Sequence, residues 1–184
     1  MRIDILTLFP EMFDALKHSI LQRAIDAKKL ELNFVQIRDY SKDKHKKVDD
    51  TPFGGGAGMV MMCQPLFDAI NGVKTDDAVI IYMSPKGQTL KQDVVVGLSK
   101  FKHLIIVCGH YEGIDQRVID HFNMTEISIG DYVLTGGELP AMVLVDSVAR
   151  YVEGVLSSGS TDEESFSNGL LEYPQYTKPR NYLG

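Results

Sequence analysis

Three glycine-bearing segments of this chain each follow directly on an apolar run. The longest is Ser128-Ile129-Gly130-Asp131-Tyr132-Val133-Leu134-Thr135-Gly136-Gly137-Glu138-Leu139-Pro140, where a β-prone run ends and Pro140 opens an apolar helical pattern. The others are Met83-Ser84-Pro85-Lys86-Gly87 and Cys108-Gly109-His110-Tyr111-Glu112-Gly113-Ile114-Asp115. Glycine lets a backbone turn tightly and approach a ligand without Cβ clashes. Three such loops at the carboxyl ends of three predicted strands describe a small-molecule pocket on an α/β sheet. Polar residues fall on the same loop face: Arg150, Glu112, Asp131, Glu138, Asp49, Asp50 and the acidic stretch Asp162-Glu163-Glu164. Such a set suits a cationic ligand, or chemistry that removes a proton and stabilises the anion left behind.

Other chemistries lack their signatures. Gly54 to Met59 has neither the spacing nor the preceding strand of a dinucleotide fingerprint. No Walker loop, Gly-x-Ser-x-Gly elbow or zinc spacing is present. His110 has no evident serine or cysteine nucleophile to serve, so packed structure is its commoner role.

The elements that must position these loops alternate along the chain. Strands are predicted over 2–9, 32–37, 78–83, 103–108 and 125–129, with helices over 10–29 in pieces, 64–73, 90–100, 114–122 and 139–152. That order predicts an α/β fold, a mainly parallel sheet with helices on both faces. Tyr40 to Met59 has no apolar period and carries Gly54-Gly55-Gly56-Ala57-Gly58, the mark of a functional or mobile loop. After Gly154 the composition turns polar and acidic, then aromatic and proline-bearing at Tyr173, Pro174, Tyr176, Pro179 and Tyr182. Residues 1–156 are therefore expected to form the domain, and 157–184 a flexible linker with the start of another region.

A formal net charge of −6 argues against a surface coated with cations for nucleic acid. Charge is uneven, however: Arg38, Lys42, Lys44, Lys46 and Lys47 face only Asp39 and Asp43. This stretch is either a solvated loop or a loop that contacts phosphate. Cys63 and Cys108 stand apart beside apolar residues, as buried thiols of a reducing cytoplasm do. No apolar run approaches the roughly 18 residues that a membrane span needs.

Asp49-Asp50-Thr51-Pro52-Phe53-Gly54-Gly55-Gly56-Ala57-Gly58-Met59, Gly109 to Asp115 and Ser128 to Pro140 closely resemble the bacterial tRNA (guanine-N1)-methyltransferases, which modify the guanosine 3′ of the anticodon. Leu8-Phe9-Pro10-Glu11-Met12-Phe13 and Tyr176-Thr177-Lys178-Pro179 extend the likeness along the chain. The resemblance implies a SPOUT-type fold with a deep trefoil knot, a homodimer, and S-adenosylmethionine held mostly by backbone groups. By motif match the cofactor residues are Tyr82, Met83, Ser84 and Pro85; Gly109, Tyr111, Glu112 and Gly113; and Ser128, Ile129, Gly130, Tyr132, Leu134, Gly136, Gly137 and Pro140. A bulky residue at position 137 is expected to occupy ligand space. The resemblance further implies Glu164, Arg150 and Asp50 as catalytic residues, and Glu112, Glu164 and Glu172 as oxygen ligands for magnesium. Arg38, Lys42, Lys44, Lys46 and Lys47 are the candidate tRNA contacts. The family's base is an aspartate where this chain has Glu164, so Asp162 is the alternative base. The family also carries a C-terminal helical domain that helps grip tRNA, and this chain is expected to stop where that domain begins. Two other readings compete: a related knotted methyltransferase of ribosomal RNA, and a catalytically silent RNA-binding module.

Overall fold

A computed structural model of the chain describes residues 1–156 and 173–182. Its centre is a five-stranded, wholly parallel sheet of β1 (Arg2–Thr7), β2 (Glu31–Gln36), β5 (Val79–Thr89), β6 (His103–Cys108) and β7 (Thr125–Ser128), in the order β2-β1-β6-β5-β7. Two-residue strands β3 (Asp49–Asp50) and β4 (Val60–Met61) form a separate antiparallel ribbon. The helices are α1 (Ser19–Asp26), α2 (Cys63–Val73), α3 (Gln92–Leu98), α4 (Gln116–Phe122) and α5 (Glu138–Ala149), with a 3₁₀ segment at Pro10–Lys17.

Both faces of the sheet are apolar because successive side chains alternate across it. Ile3, Ile5, Ile81, Leu104, Ile106 and Ile127 pack on one face against Phe13, α1, α3 and α5. Leu6, Ile80, Tyr82, Ile105 and Val107 pack on the other against α2 and α4. Helices do cover both faces, as the alternation of elements predicts. Among the described residues no helix is long and apolar enough to cross a membrane.

Two sequence expectations change. The stretch Met83 to Gly87 is no simple loop: β5 runs on to Thr89 and pairs with β7 on both sides of a register shift. Met83 and Gln88 both pair with Ile127, so residues 84–87 bow out of the ladder between them. A Cβ on Gly87 would lie 2.4 Å from the Ile127 nitrogen, which explains why this excursion ends on glycine. The region 40–59 is also more ordered than its composition suggests. Asp49–Asp50 within it pairs with Val60–Met61 just beyond it, and Val48, which precedes the ribbon, is buried.

Candidate active site

The neighbours β6, β5 and β7 end together, and the segments leaving them enclose a cavity of about 310 Å³. This is the lower end of the size range of small-molecule sites. Every residue assigned to the cofactor from the sequence lines it. So do Lys86, His110, Gln116, Ile119, Glu126 and Thr135, which sequence reasoning missed. Glu126 had a readable signal, since it alternates with buried Ile127 and is the ladder partner of Tyr82. The α4 residues Gln116 and Ile119 had none, because only the packing of the helix against the sheet brings them in.

Backbone hydrogen bonds hold the loops to one another. Gly137 donates its N–H to the Gly109 carbonyl at 2.9 Å, and Gly113 donates to the His110 carbonyl at 3.0 Å. The ribbon docks on the same loop: Glu112 donates to the Met59 carbonyl and Met61 to the Gly113 carbonyl, each at 3.0 Å. A Cβ at Gly137 would sit 2.8 Å from the Cys108 Cα and from the Gly109 nitrogen. A side chain there would wedge two backbones apart rather than fill ligand space, which corrects the expectation for position 137. Tyr111 holds a left-handed backbone, φ +58°, with its ring against His110. A non-glycine residue so placed stores strain at a site that constrains it.

The floor is polar and acidic. The Tyr82 phenol lies under Gly109 and Gly113, and burial, then the nearby Glu126 charge, push its pKa up. Carboxylates Glu112 and Glu126 line it with a single lysine, Lys86, and the buried Glu138 lies outside the lining. Such a cavity suits a ligand bearing positive charge.

The catalytic candidates lie apart from it. Arg150 caps the end of α5, exposed, and does not line the cavity. Asp50, in β3, is also outside the lining. It accepts from the Thr51 N–H at 2.9 Å and pairs with Lys47 at 3.2 Å, contacts that hold its carboxyl below the usual range. Glu164, Glu172 and Asp162 fall outside the described residues. Among the described residues no three metal-ligating side chains cluster. The basic stretch is largely ion-paired: Lys42 with Asp68 at 2.9 Å, Lys46 with Asp39 at 2.5 Å, and Lys47 with Asp50. Lys44 makes no ion pair among the described residues.

The sequence profile of the family described as tRNA (Guanine-1)-methyltransferase TrmD matches residues 1–184. This chain belongs to that family. A tRNA (guanine-N(1)-)-methyltransferase of Ruminiclostridium cellulolyticum is 59% identical over 189 residues, covering 100% of this chain and 81% of that protein. Proteins of the same name from Clostridium botulinum and Caldanaerobacter subterraneus are each 57% identical, covering 100% of this chain and 77% of theirs.

Two variants separate the scaffold of the cavity from its lining. Gly137→Val should lower the melting temperature and abolish binding of S-adenosylmethionine, because it parts the loops. Tyr111→Ala should keep the melting temperature and weaken binding by a smaller factor. Thermal denaturation and titration calorimetry on the same samples check both, and unaltered binding by Gly137→Val would place the ligand elsewhere.

Proposed function

We propose that this protein transfers a methyl group from S-adenosylmethionine to N1 of the guanosine 3′ of the anticodon in tRNA. The observation that carries this reading is the glycine-lined cavity where the ends of β5, β6 and β7 meet, in a chain that matches the family over residues 1–184. Its volume, backbone hydrogen-bonding groups and surplus of carboxylate fit a sulfonium ligand. When bound, S-adenosylmethionine supplies an electrophilic methyl group that needs no metal to activate it.

The protein must then do two things for guanine. N1 carries a proton and is a poor nucleophile, so a carboxylate has to accept that proton as the methyl arrives. We assign this to Glu164 from its alignment before Ser165-Phe166, with Asp162 as the alternative. Negative charge grows at O6, where Arg150 would stabilise it. Asp50 keeps a supporting role in the ribbon that braces Glu112. Glu112, Glu164 and Glu172 are oxygen donors of the kind magnesium takes.

Arg150 and Asp50 stand outside the cavity of their own chain, which supports a homodimer whose partner completes the site. The lip of the cavity is apolar and exposed: Tyr132 is 55% exposed, Val133 81% and Leu134 38%. A patch of this kind beside a polar cavity marks an interaction surface. The family also implies a SPOUT-type trefoil knot. The close passage of Gly137 over Cys108–Gly109 is compatible with such a path. Residues 157–184 are proposed as linker and as the start of a tRNA-gripping region, and a cytoplasmic location follows from the substrate.

Methyl transfer to a tRNA transcript, to the same transcript without the target guanosine, and to ribosomal RNA tests the reaction. Only the first should be labelled. Glu164→Gln should retain cofactor binding and lose transfer; a live Glu164→Gln beside a dead Asp162→Asn would move the base to Asp162. Sedimentation at micromolar concentration should show a dimer, and a monomer would remove the shared site.

The lysine stretch yields a separate test. Its ion pairs are exposed, and exposed pairs are weak, so phosphate can displace them. Changing Lys44, Lys46 and Lys47 to Ala should reduce tRNA affinity and flatten its salt dependence by up to about 0.9 log unit per lost contact on a duplex-like polyanion. An unchanged slope would mark the stretch as a solvated loop.

A further inference from the structure

Glu138 is the one charged residue of α5 that is buried, with 1% of its surface exposed. It opens the helix, just after Gly136 and Gly137, and lies behind the cavity wall rather than in it. Thr7, at the end of β1, donates its hydroxyl to Glu138 Oε1 at 2.8 Å across 131 residues of chain. That hydroxyl oxygen accepts the Phe9 N–H at 2.9 Å. The Phe9 ring in turn packs on His110, with ring centroids 5.1 Å apart. His110 Nε2 stands 3.8 Å from Glu138 Oε2. Thr7, Glu138, His110 and Phe9 thus close a circuit, joining β1 to the loops that follow β6 and β7.

We propose that Glu138 is a positioning residue, whose buried carboxylate sets the height of the Gly136 segment and holds His110 so that both loops are ready for the cofactor. The proposal rests on the methyltransferase reading and deepens it. A Cβ at Gly136 would lie 2.5 Å from Glu138 Oε2 and 2.8 Å from His110 Nε2, so the loop backbone rests directly on this pair. His110 and Gly136 both line the cavity, and Gly109 and Tyr111 flank His110. Burying a carboxylate is costly unless it is well paired. The Thr7 bond alone would be satisfied by a neutral glutamine oxygen. What the charge adds is attraction to His110 and to the first-turn amides of α5. A side chain locked from behind in this way fixes the groups in front of it.

Titration calorimetry with S-adenosylmethionine and with its demethylated product, S-adenosylhomocysteine, provides the test. Failure of the wild-type chain to bind either would remove the methyltransferase reading itself. Given binding, Glu138→Gln should weaken both ligands by about tenfold, the scale on which losing a supporting group behind a site acts. Its melting temperature should be unchanged or raised, since a buried charge is gone. A purely structural role would instead lower the melting temperature and leave affinity at permissive temperature intact. His110→Asn, at a side chain 23% exposed, should give a similar loss, and the double variant should be no worse than the weaker-binding single one. Unaltered affinity in Glu138→Gln, or additive losses in the double variant, would overturn the proposal. A loss confined to the charged ligand would overturn it too, making Glu138 a direct reader of the sulfonium. Should Glu138→Gln not fold, wild-type binding by His110→Asn would suffice to reject it.

Discussion

Gly137 brings its backbone to within hydrogen-bonding distance of Gly109, and the cavity exists because of that approach. A Cβ on residue 137 would lie 2.8 Å from the Cys108 Cα and from the Gly109 nitrogen, so this crossing depends on residue 137 having no side chain. The contact pins the start of α5 to the end of β6, so the segment 130–136 has to arch outward around whatever occupies the space. The same logic operates at Gly87, where the β5 excursion returns to the ladder against Glu126 and Ile127. Two close crossings thus define the walls, and the apolar sheet beneath supplies the stiffness. Preorganisation of this kind spares a ligand the cost of ordering loops when it binds.

Much of this was legible in the sequence because the governing patterns are local. The strand over 103–108 is found where the apolar run predicts it, and the other four strands fall within a few residues of theirs, β5 apart. The glycine-bearing segments were legible as cavity walls for the same reason: their composition serves the crossings they make. The bowed course of 84–87 was not legible. It depends on Met83 and Gln88 sharing one partner on β7, a matter of register between distant strands. Gln116 and Ile119 were hidden because a helix's rotation against a sheet is set by packing. The roles of Arg150 and Asp50 came from resemblance alone, and their places outside the cavity are something no single-chain pattern could convey.

Electrostatics divide the molecule by function. Acidic groups gather at the cavity, where a cationic ligand benefits, and the net charge of −6 follows partly from them. Three cations of the 38–47 stretch, Lys42, Lys46 and Lys47, are paired with aspartates, which lowers the positive charge it presents. Such an arrangement limits indiscriminate adhesion to polyanions while leaving lysines available for exchange of partners. At the opposite end of the sheet Asp4 is wholly buried between His103 at 2.6 Å and Asn33 at 2.9 Å, with Arg2 also on it at 2.9 Å. The carboxylate at this end is engaged by neighbouring side chains, which fits a structural role.

The position of β1 has a consequence for how the protein is made. Its first residues pair with β2 on one side but with His103 to Val107 on the other. A ribosome adding about 5–20 residues per second exposes Arg2 for roughly 5–20 seconds before its β6 partner is synthesised. During that interval one edge of the nascent strand has no native neighbour, and apolar strand edges left open invite pairing with other chains. The early arrival of β2 and of the Phe13 segment therefore does more than add to the core. It shelters a strand whose central place in the sheet is fixed from the outset and filled only when half the chain has followed it.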